Sequence, residues 1–281
     1  MSLEQHPQIG LGAILDQRIA HLFNVQEEAV LIAHNEHPVY RAGDVIIRQE
    51  SDPEEAAFVA SLCSSITARG FRVARPITSI SGAYVTDDGW TACAFLTGRP
   101  ATADDAPHVV AAIAAYHEAL ASTPKPSVTK DDNSPFTRAD KMAWNERRTT
   151  IDQRIAPLVE PLQARLQPVD KLKPQLIHGD LNPDNILIEP GMSPGIIDIA
   201  PYWRPPEFAQ AVAAYWLGPF RGDRAVLAAF SRVQAFDQML LRAGLRMLLI
   251  RNEFGNLNDL SAYATASSII CEWIDHGPCG G

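Results

Sequence analysis

The chain has 281 residues, of which 46% are apolar and 20% charged, which suits a folded protein with a hydrophobic core and excludes a disordered chain. Acidic residues outnumber basic ones by 33 to 24, giving a net charge of −9. Because nucleic-acid binding relies on Lys and Arg against phosphates, this balance argues against a nucleic-acid partner. Met1 to Gly10 lacks a basic segment followed by an apolar one, and no apolar run is long enough to cross a membrane. We therefore expect a cytoplasmic protein with no membrane partner.

The first third of the chain predicts a small β-rich region. A helix opens it, because apolar residues recur every three or four positions between Leu11 and Phe23. Apolar runs separated by turn residues then predict strands at 29–33, 39–41, 45–48, 73–80 and 90–96. Between the third and fourth of these strands, Asp52 and Pro53 are typical of a helix start, and that helix runs to about Ala68.

After Gly98-Arg99-Pro100, which is typical of a hinge, helices dominate the pattern. They are predicted at 104–121, 136–148 and 150–166, and four more helical segments finish the chain after a strand-rich insert at 175–198. The sequence therefore predicts an α+β fold with two parts. Residues 1–97 form a small antiparallel β lobe with one helix, and residues 98–281 form a larger, mainly helical lobe.

The densest chemical signal is a polar loop between two apolar runs. The loop carries His178, Asp180 and Asn185, and a later apolar run ends at Asp198. A hairpin-like turn folds the runs back on each other, which predicts that Asp180, Asn185 and Asp198 gather at one end of a small sheet. Carboxylate and amide oxygens at such a place suit a hard cation such as Mg²⁺.

The pattern His178-x-Asp180-x4-Asn185 followed by Asp198 resembles the catalytic loop and metal-binding strand of the protein-kinase-like superfamily. Its HGD form resembles the small-molecule branch, the aminoglycoside phosphotransferase and choline kinase-like enzymes. The resemblance covers nearly the whole chain, because the β-rich part precedes the loop and helices follow it. It implies a two-lobed protein-kinase-like fold.

The resemblance also implies roles for these residues. Asp180 would be the catalytic residue that orients or deprotonates an acceptor hydroxyl. Asn185 and Asp198 would hold Mg²⁺ on the phosphates of ATP or GTP, and His178 would anchor the loop by hydrogen bonds. Residues 1–97 would then cover the nucleotide, and the later lobe would carry the catalytic loop, the metal site and a helical acceptor-binding region.

In the family, a Lys on the third strand and a Glu on the following helix handle the phosphates. This chain has Arg48 at the strand position. Glu55 shares a helical stripe with Val59 and Leu62 and therefore faces inward, whereas Glu54 faces solvent. We therefore predict Arg48 and Glu55 as nucleotide-binding residues. A purely structural salt bridge between them is the alternative.

The hinge segment supplies two more candidates. Phe95 and Thr97 follow the strand that ends the β-rich part, where the resemblance implies adenine binding through main-chain groups. The next helix, with Tyr116-His117, resembles the one that follows the hinge in this superfamily. We expect His117 to be a core residue.

The segment Asp198-x-x-PYWRP resembles a little-characterised branch of the phosphotransferase group. Its Tyr202, Trp203 and Arg204 combine aromatic rings with a cation and could line an acceptor pocket. The alternative, which we favour, is a rigid connector under the following helix.

Three acids could attract a cationic acceptor, but we expect them to form a solvated face. They are Asp131, Asp132 and Asp140.

We predict a phosphotransferase that moves the γ-phosphate of ATP or GTP to a hydroxyl of a small molecule. The alternative is a non-catalytic, pseudokinase-like protein that binds a nucleotide or ligand. Arg48 and a first hairpin without glycine favour that alternative, whereas Asp180, Asn185 and Asp198 oppose it. A metal-dependent hydrolase built on the same carboxylates is a third hypothesis. The sequence leaves the acceptor and the oligomeric state open.

Overall fold

The structure is a computed structural model that describes residues 12–34, 37–127 and 134–277. The tip of the first hairpin at 35–36 and the acids Asp131 and Asp132 lie outside the described residues. The chain divides into two compact units. The first runs to Thr67 and includes Val73–Thr97, and the second comprises Ala68–Arg72 and the chain from Gly98 onward.

The elements up to the hinge are mostly strands. In chain order they are α1 (Gln17–His21), β1 (Val30–His34), β2 (Pro38–Ala42), β3 (Val45–Gln49), α2 (Pro53–Ser65), β4 (Arg72–Val73), β5 (Pro76–Ile77) and β6 (Trp90–Ala94). In the first unit, an antiparallel sheet has the order β1-β2-β3-β6-β5. Ile47 of β3 pairs with Tyr40 and with Ala92 and is fully buried in the core of this unit. Because side chains alternate along a strand, the neighbouring Arg48 lies on the opposite face of the sheet.

The second unit is mainly helical. Its elements are β7 (Arg99–Pro100), α3 (Ala106–Leu120), α4 (Pro135–Ala143), α5 (Ala156–Gln163), β8 (Gln175–His178), β9 (Ile186–Ile188), β10 (Gly195–Ile196), β11 (Pro201–Arg204), α6 (Pro206–Leu217), α7 (Leu227–Phe230), α8 (Phe236–Phe254) and α9 (Ser261–His276). Strands β7, β9 and β10 lie in one antiparallel sheet, and β8 pairs with β11. A β-sheet unit followed by a helical unit confirms the predicted α+β class, and α6 to α9 confirm the four late helical segments.

Helix α8 is the central helix of the second unit. It packs against α4, α5, α6 and α9. Its residues from Met239 to Leu249 are buried on all sides, as expected for a helix surrounded by other elements. Two of these buried residues are arginines, Arg242 and Arg246, with 4% and 2% of their surface exposed. Within the described residues, no helix combines the length and apolar character needed to cross a bilayer.

Several predicted helices are longer than the helices in the structure. The first helix begins only after Asp16, whose carboxylate accepts the Arg18 N–H at 2.9 Å, and Asn24 then turns the chain away with φ of 58°. Helix α4 ends at Ala143 rather than at 148 because Asn145 also adopts a left-handed φ of 58°. Helix periodicity in a sequence does not report such single-residue reversals.

Two strand predictions were also incomplete. The strand predicted at 73–80 is broken into β4 and β5, with Pro76, which has no N–H to donate, at the start of β5. The segment predicted as a connector at Pro201–Arg204 is strand β11. Its pairing partner β8 lies more than twenty residues earlier in the chain, so no short turn motif in the sequence could predict that these strands pair.

Candidate active site

The predicted catalytic loop joins β8 to β9, and a short 3-10 turn at Pro183–Asn185 leads into β9. Strands β9 and β10 pair antiparallel, with Ile196 opposite Ile186. Beyond this pair, the Ile197 N–H donates to the Asn185 carbonyl oxygen at 3.1 Å. Asp198 is the next residue, so it lies beside Asn185 at the end of the small sheet.

Asp180 is half-buried and surrounded by amide donors. The Asn185 side-chain nitrogen donates to the Asp180 carbonyl oxygen at 2.8 Å and lies 3.4 Å from its carboxylate Oδ2. The Asn182 side-chain nitrogen lies 3.3 Å from the same Oδ2. The contact from Asn182 was missed by the sequence analysis. Both amides contact Oδ2, so within the described chain Oδ1 is the oxygen of Asp180 that is available to a hydroxyl.

His178 joins the catalytic loop to the segment that carries Asp198. Its Nε2 donates to the Ile197 carbonyl oxygen at 3.1 Å. Its Nδ1 accepts the N–H groups of Asp180 and Ala200, each at 3.2 Å. A carbonyl can only accept and an amide N–H can only donate, so these partners place the proton of a neutral imidazole on Nε2. The ring is fully buried.

His117, on α3, supports His178 from behind. Its Nε2 accepts the His178 main-chain N–H at 3.3 Å, and its Nδ1 donates to the Ile113 carbonyl oxygen at 2.9 Å. Burial, and secondarily the proximity of the His178 ring, lowers the pKa of His117 from 6.5 to about 3. The expectation that His117 is a core residue is confirmed, with 2% of its surface exposed.

Asp198 has an unusual backbone. Its φ of 53° lies in the left-handed region, which Asp and Asn enter more readily than most residues. The residue is exposed, whereas Ile196, two positions earlier, is fully buried. This left-handed residue lies two positions after the end of β10 and turns the chain away from the strand, and positions of this kind are often functional.

The residues present fit a divalent cation such as Mg²⁺. Asn185 gives its amide nitrogen to Asp180, which leaves the amide oxygen as the ligand atom, and Asp198 adds an exposed carboxylate. Mg²⁺ prefers oxygen ligands of this kind and takes its remaining ones from water or phosphates. In the described part of the chain, no group of three or more His, Cys, Asp or Glu residues is placed to hold a metal ion. A site with two protein oxygens therefore suits a metal ion whose remaining ligands are phosphate oxygens and water.

Gly179 is surrounded too closely for a larger side chain, although its φ does not lie in the left-handed region that favours glycine. A Cβ at this position would lie 2.2 Å from Tyr202 Cδ2, because the Tyr202 ring packs directly on it. Tyr202 is held there by β11, where it pairs with Ile177 of β8. The Arg246 guanidinium lies over the Tyr202 ring, 4.6 Å from its centroid, and donates to the Gly179 carbonyl oxygen. The sequence analysis did not identify Arg246.

A buried charge cluster lies beside Tyr202. Arg204 donates to Asp140 at 2.7 Å and to Glu146 at 2.6 Å, and Arg246 Nε lies 3.8 Å from Asp140. Asp140 is only 3% exposed, so the predicted solvated face is wrong at this residue. Both arginines lie far along the chain from Asp140, and sequence proximity therefore gave no sign of the ion pairs.

The possible acceptor-pocket residues lie along β11. Trp203 and Arg204 pair with Leu176 and Gln175, at the end of the strand pair opposite to His178. Three residues of strand correspond to about 10 Å. Arg204 lines a cleft of about 460 Å³ at that far end. An acceptor pocket at these residues stays a prediction.

In the first unit, Arg48 forms an ion pair with Glu50, two residues along the chain. Glu50 was not considered by the sequence analysis, which sought the partner on the helix. Glu55 lies in the first turn of α2, where its N–H donates to the capping Asp52 carboxylate at 3.0 Å. Arg48 therefore has a carboxylate partner within its own segment, and the nucleotide-binding roles of Arg48 and Glu55 stay predictions.

The hinge residues end the first unit. The Phe95 N–H donates to the Asp44 carbonyl oxygen at 2.8 Å, and the Arg41 guanidinium lies 3.6 Å from the centre of the Phe95 ring. Of the hydrogen-bonding groups of Phe95, the carbonyl oxygen is therefore the one left for an adenine. Thr97 is the last residue of the unit.

Comparison with known proteins gives a family and a fold. Residues 29–232 match the family described as the phosphotransferase enzyme family. No match was found among curated proteins.

Kinases and phosphotransferases are among the solved structures that resemble this one. Amicoumacin kinase hAmiN, in complex with AMP-PNP, Ca²⁺ and Ami, is 16% identical with a TM-score of 0.58, over 92% of this chain and 91% of that chain. A choline/ethanolamine kinase family protein from Mesorhizobium loti is 16% identical, with a TM-score of 0.55 over 94% and 95%. Aminoglycoside 2'-phosphotransferase-IIIa, in its GDP complex, is 15% identical, with a TM-score of 0.54 over 95% and 93%. These likenesses confirm the protein-kinase-like fold predicted from the sequence.

Proposed function

The chain belongs to the phosphotransferase enzyme family, and from this premise we propose that it transfers the γ-phosphate of ATP or GTP to a hydroxyl group of a small molecule. One observation carries the proposal. Asp180 and Asn185 on the catalytic loop and Asp198 after β10 lie at one end of a small sheet, and His178 joins these two segments by hydrogen bonds.

We assign the base to Asp180. An ionised carboxylate only accepts hydrogen bonds, and Oδ1 is available to the acceptor hydroxyl. As the new bond forms between the acceptor oxygen and the γ-phosphorus, the bond from that phosphorus to the bridging oxygen breaks. The hydroxyl proton passes to Asp180, and the nucleoside diphosphate leaves with the bridging oxygen.

The other polar residues orient the reactants. Asn185 and Asp198 would hold Mg²⁺, which neutralises charge on the phosphate oxygens during transfer. His178 keeps the Asp180 main chain and the Asp198 segment in a fixed relation, since it bonds to both. Alignment of this kind supplies much of the catalysis of phosphoryl transfer, because the protein contributes little covalent chemistry.

We assign nucleotide binding to residues 1–97, through Arg48, Glu55, the Phe95 carbonyl and Thr97. AMP-PNP and GDP in the complexes of similar structures support a nucleotide donor for this chain. Those proteins are named for different acceptors, amicoumacin in one and an aminoglycoside in the other. The acceptor proposed here is therefore a class, a small molecule with a reactive hydroxyl.

Calorimetric titration tests the nucleotide site first. ATP and GTP are each titrated with and without Mg²⁺ into the wild type and into Asp198→Asn. We expect metal-dependent binding of at least one nucleotide by the wild type, and weaker binding by the variant, because it loses a carboxylate charge next to the phosphates. Absence of binding to both nucleotides at millimolar concentration would contradict the proposal.

Release of nucleoside diphosphate over a panel of hydroxyl compounds then tests the reaction. We expect Asp180→Asn to abolish release while nucleotide affinity and thermal stability stay near wild type. The matched control is Asp184→Asn, an exposed acid of the same loop, which should retain activity. Equal activity of the two variants would remove Asp180 from the role of base.

A further inference from the structure

The peptide group between Gly179 and Asp180 is held at both ends. Its N–H, from Asp180, donates to His178 Nδ1 at 3.2 Å. Its carbonyl oxygen, from Gly179, accepts from the guanidinium of Arg246. A peptide group is planar, so fixing both ends fixes the orientation of the whole plane. That plane sets the direction in which the Asp180 side chain leaves the main chain.

Arg246 differs from the other partners of Gly179 and Asp180 in its distance along the chain. His178 and Asn185 lie within the strand-loop-strand segment itself, whereas Arg246 comes from the middle of α8, 67 residues away from Gly179. The Gly179 carbonyl is buried, and a buried carbonyl without a partner is costly. Arg246 is thus a contact by which α8 reaches the catalytic loop at Gly179.

The surroundings of Arg246 are arranged for a charged group. The side chain is 98% buried, and a buried guanidinium is unfavourable unless its charge is compensated. The Tyr202 ring face at 4.6 Å and the Asp140 carboxylate at 3.8 Å provide that compensation. A leucine or methionine would fill an apolar position in α8 without these requirements. An arginine at this position therefore indicates a polar interaction, and we identify that interaction as its hydrogen bond to the Gly179 carbonyl oxygen.

We propose that Arg246 is a positioning residue for phosphoryl transfer, which acts by holding the Gly179–Asp180 peptide so that the Asp180 carboxylate faces the acceptor hydroxyl. The inference rests on the proposed function, since it assigns Asp180 the role of base. With 2% of its surface exposed, Arg246 acts on the reaction through the main chain of the loop. Its loss misdirects Asp180 while the metal and nucleotide sites remain.

Arg242 provides a matched control. It lies one helical turn before Arg246 on α8 and is also buried, with 4% of its surface exposed. Its guanidinium lies 5.0 Å from the Trp144 ring and donates to the main chain of Gln238 and Gln167, not to the catalytic loop. Arg242→Met therefore removes a buried arginine from the same helix without releasing Gly179.

The experiment compares Arg246→Met, Arg246→Lys and Arg242→Met by three measurements. These are thermal stability, hydrogen–deuterium exchange of the loop and α8 amides, and steady-state kinetics with the best acceptor found. We expect Arg246→Met to speed exchange at Asp180 and to lower kcat about 100-fold, as a displaced catalytic group does, with little change in nucleotide KM. Arg246→Lys, which retains a charged donor, should restore part of both effects.

Arg242→Met should lower stability without accelerating exchange at Asp180 or reducing kcat. Because Arg242 lines the cleft beside Arg204, a loss of acceptor binding there would appear in the acceptor KM. Unchanged exchange at Asp180 in Arg246→Met, or equal loss of kcat in the two methionine variants, would overturn the proposal. If Arg246→Met does not fold, Arg246→Gln replaces it with the same criteria. If the wild type transfers phosphate to no acceptor, the proposed function fails, and the exchange comparison still decides whether Arg246 holds the loop.

Discussion

Replacing Gly179 with Ala tests the packing that supports the catalytic loop. The added Cβ would lie 2.2 Å from Cδ2 of Tyr202 and 2.8 Å from two further ring atoms. Carbon atoms prefer a separation of about 3.5–4.0 Å, so the ring or the loop must move by about 1 Å or more. The ring is restrained, because Tyr202 is fixed in β11 and Arg246 covers it at 4.6 Å.

The size of the effect follows from two opposing terms. Overpacking a well-packed site costs about 1–3 kcal/mol, and this contact is severe. Gly179 does not lie in the left-handed region, so Ala is compatible with the backbone and would by itself favour the folded state by about 0.4–1 kcal/mol. We expect a net loss of about 2 kcal/mol in the free energy of unfolding, measured by urea denaturation.

Gly244→Ala is the matched control. Its Cβ would also meet a neighbour closely, at 2.7 Å, but that neighbour is the flexible end of Ile270, and Ala favours the helix by about 1 kcal/mol. We therefore expect no loss of stability there. In a Tyr202→Ala background, the cost of Gly179→Ala should largely disappear, as a double-mutant cycle would report. The same cost in both backgrounds, or no cost in the wild type, would refute the packing argument.

Three further predictions concern buried or hydrogen-bonded ionisable groups. The folded-state pKa of His117 is lowered to about 3 by burial, so below about pH 6.5 the unfolded state binds a proton that the folded state does not bind. The free energy of unfolding should therefore fall as pH drops from 6.5 toward 3, by up to about 1.4 kcal/mol per pH unit. Urea denaturation of His117→Gln should show a shallower fall. Asp140→Asn should cost about 3–5 kcal/mol in urea denaturation, because Arg204 and Arg246 lose their shared buried carboxylate, and a change below 1 kcal/mol would contradict the cluster. Hydrogen bonds from Arg99 and Thr102 lower the pKa of Asp105 to about 2. The ionised Asp105 therefore stabilises the fold fully above its unfolded pKa near 4, and this stabilisation is lost as pH falls toward 2. Acid denaturation of Asp105→Asn should lack the loss of stability between about pH 4 and pH 2.

Local signals in the sequence were sufficient for much of the fold. Asp52 and Pro53 marked the start of α2, where the Asp52 side chain indeed accepts a hydrogen bond from the helix N-terminus. The apolar runs around the catalytic loop predicted β8, β9 and β10, and the family resemblance supplied their order. These features depend on residues a few positions apart, which a single sequence displays directly.

The supports of the site could not be predicted in the same way. Arg246 reaches Gly179 across 67 positions, and Asp140 reaches Arg204 across 64. A charged residue in a sequence is expected at the surface, so neither Asp140 nor Arg246 was expected to be buried. The necessity of glycine at 179 also depends on a distant contact, the ring of Tyr202. Only the three-dimensional arrangement reveals why these residues belong together.

The left-handed backbone at Asp198 bears on how the site could change in evolution. Asn adopts this conformation as readily as Asp, so the exchange of Asp198 for Asn would remove a charge from the metal site at little cost to folding. Most other replacements would lose both the ligand and the backbone fit. Both Asp and Asn therefore meet the folding requirement at this position, so the presence of a carboxylate rather than an amide reflects the chemistry of the metal site.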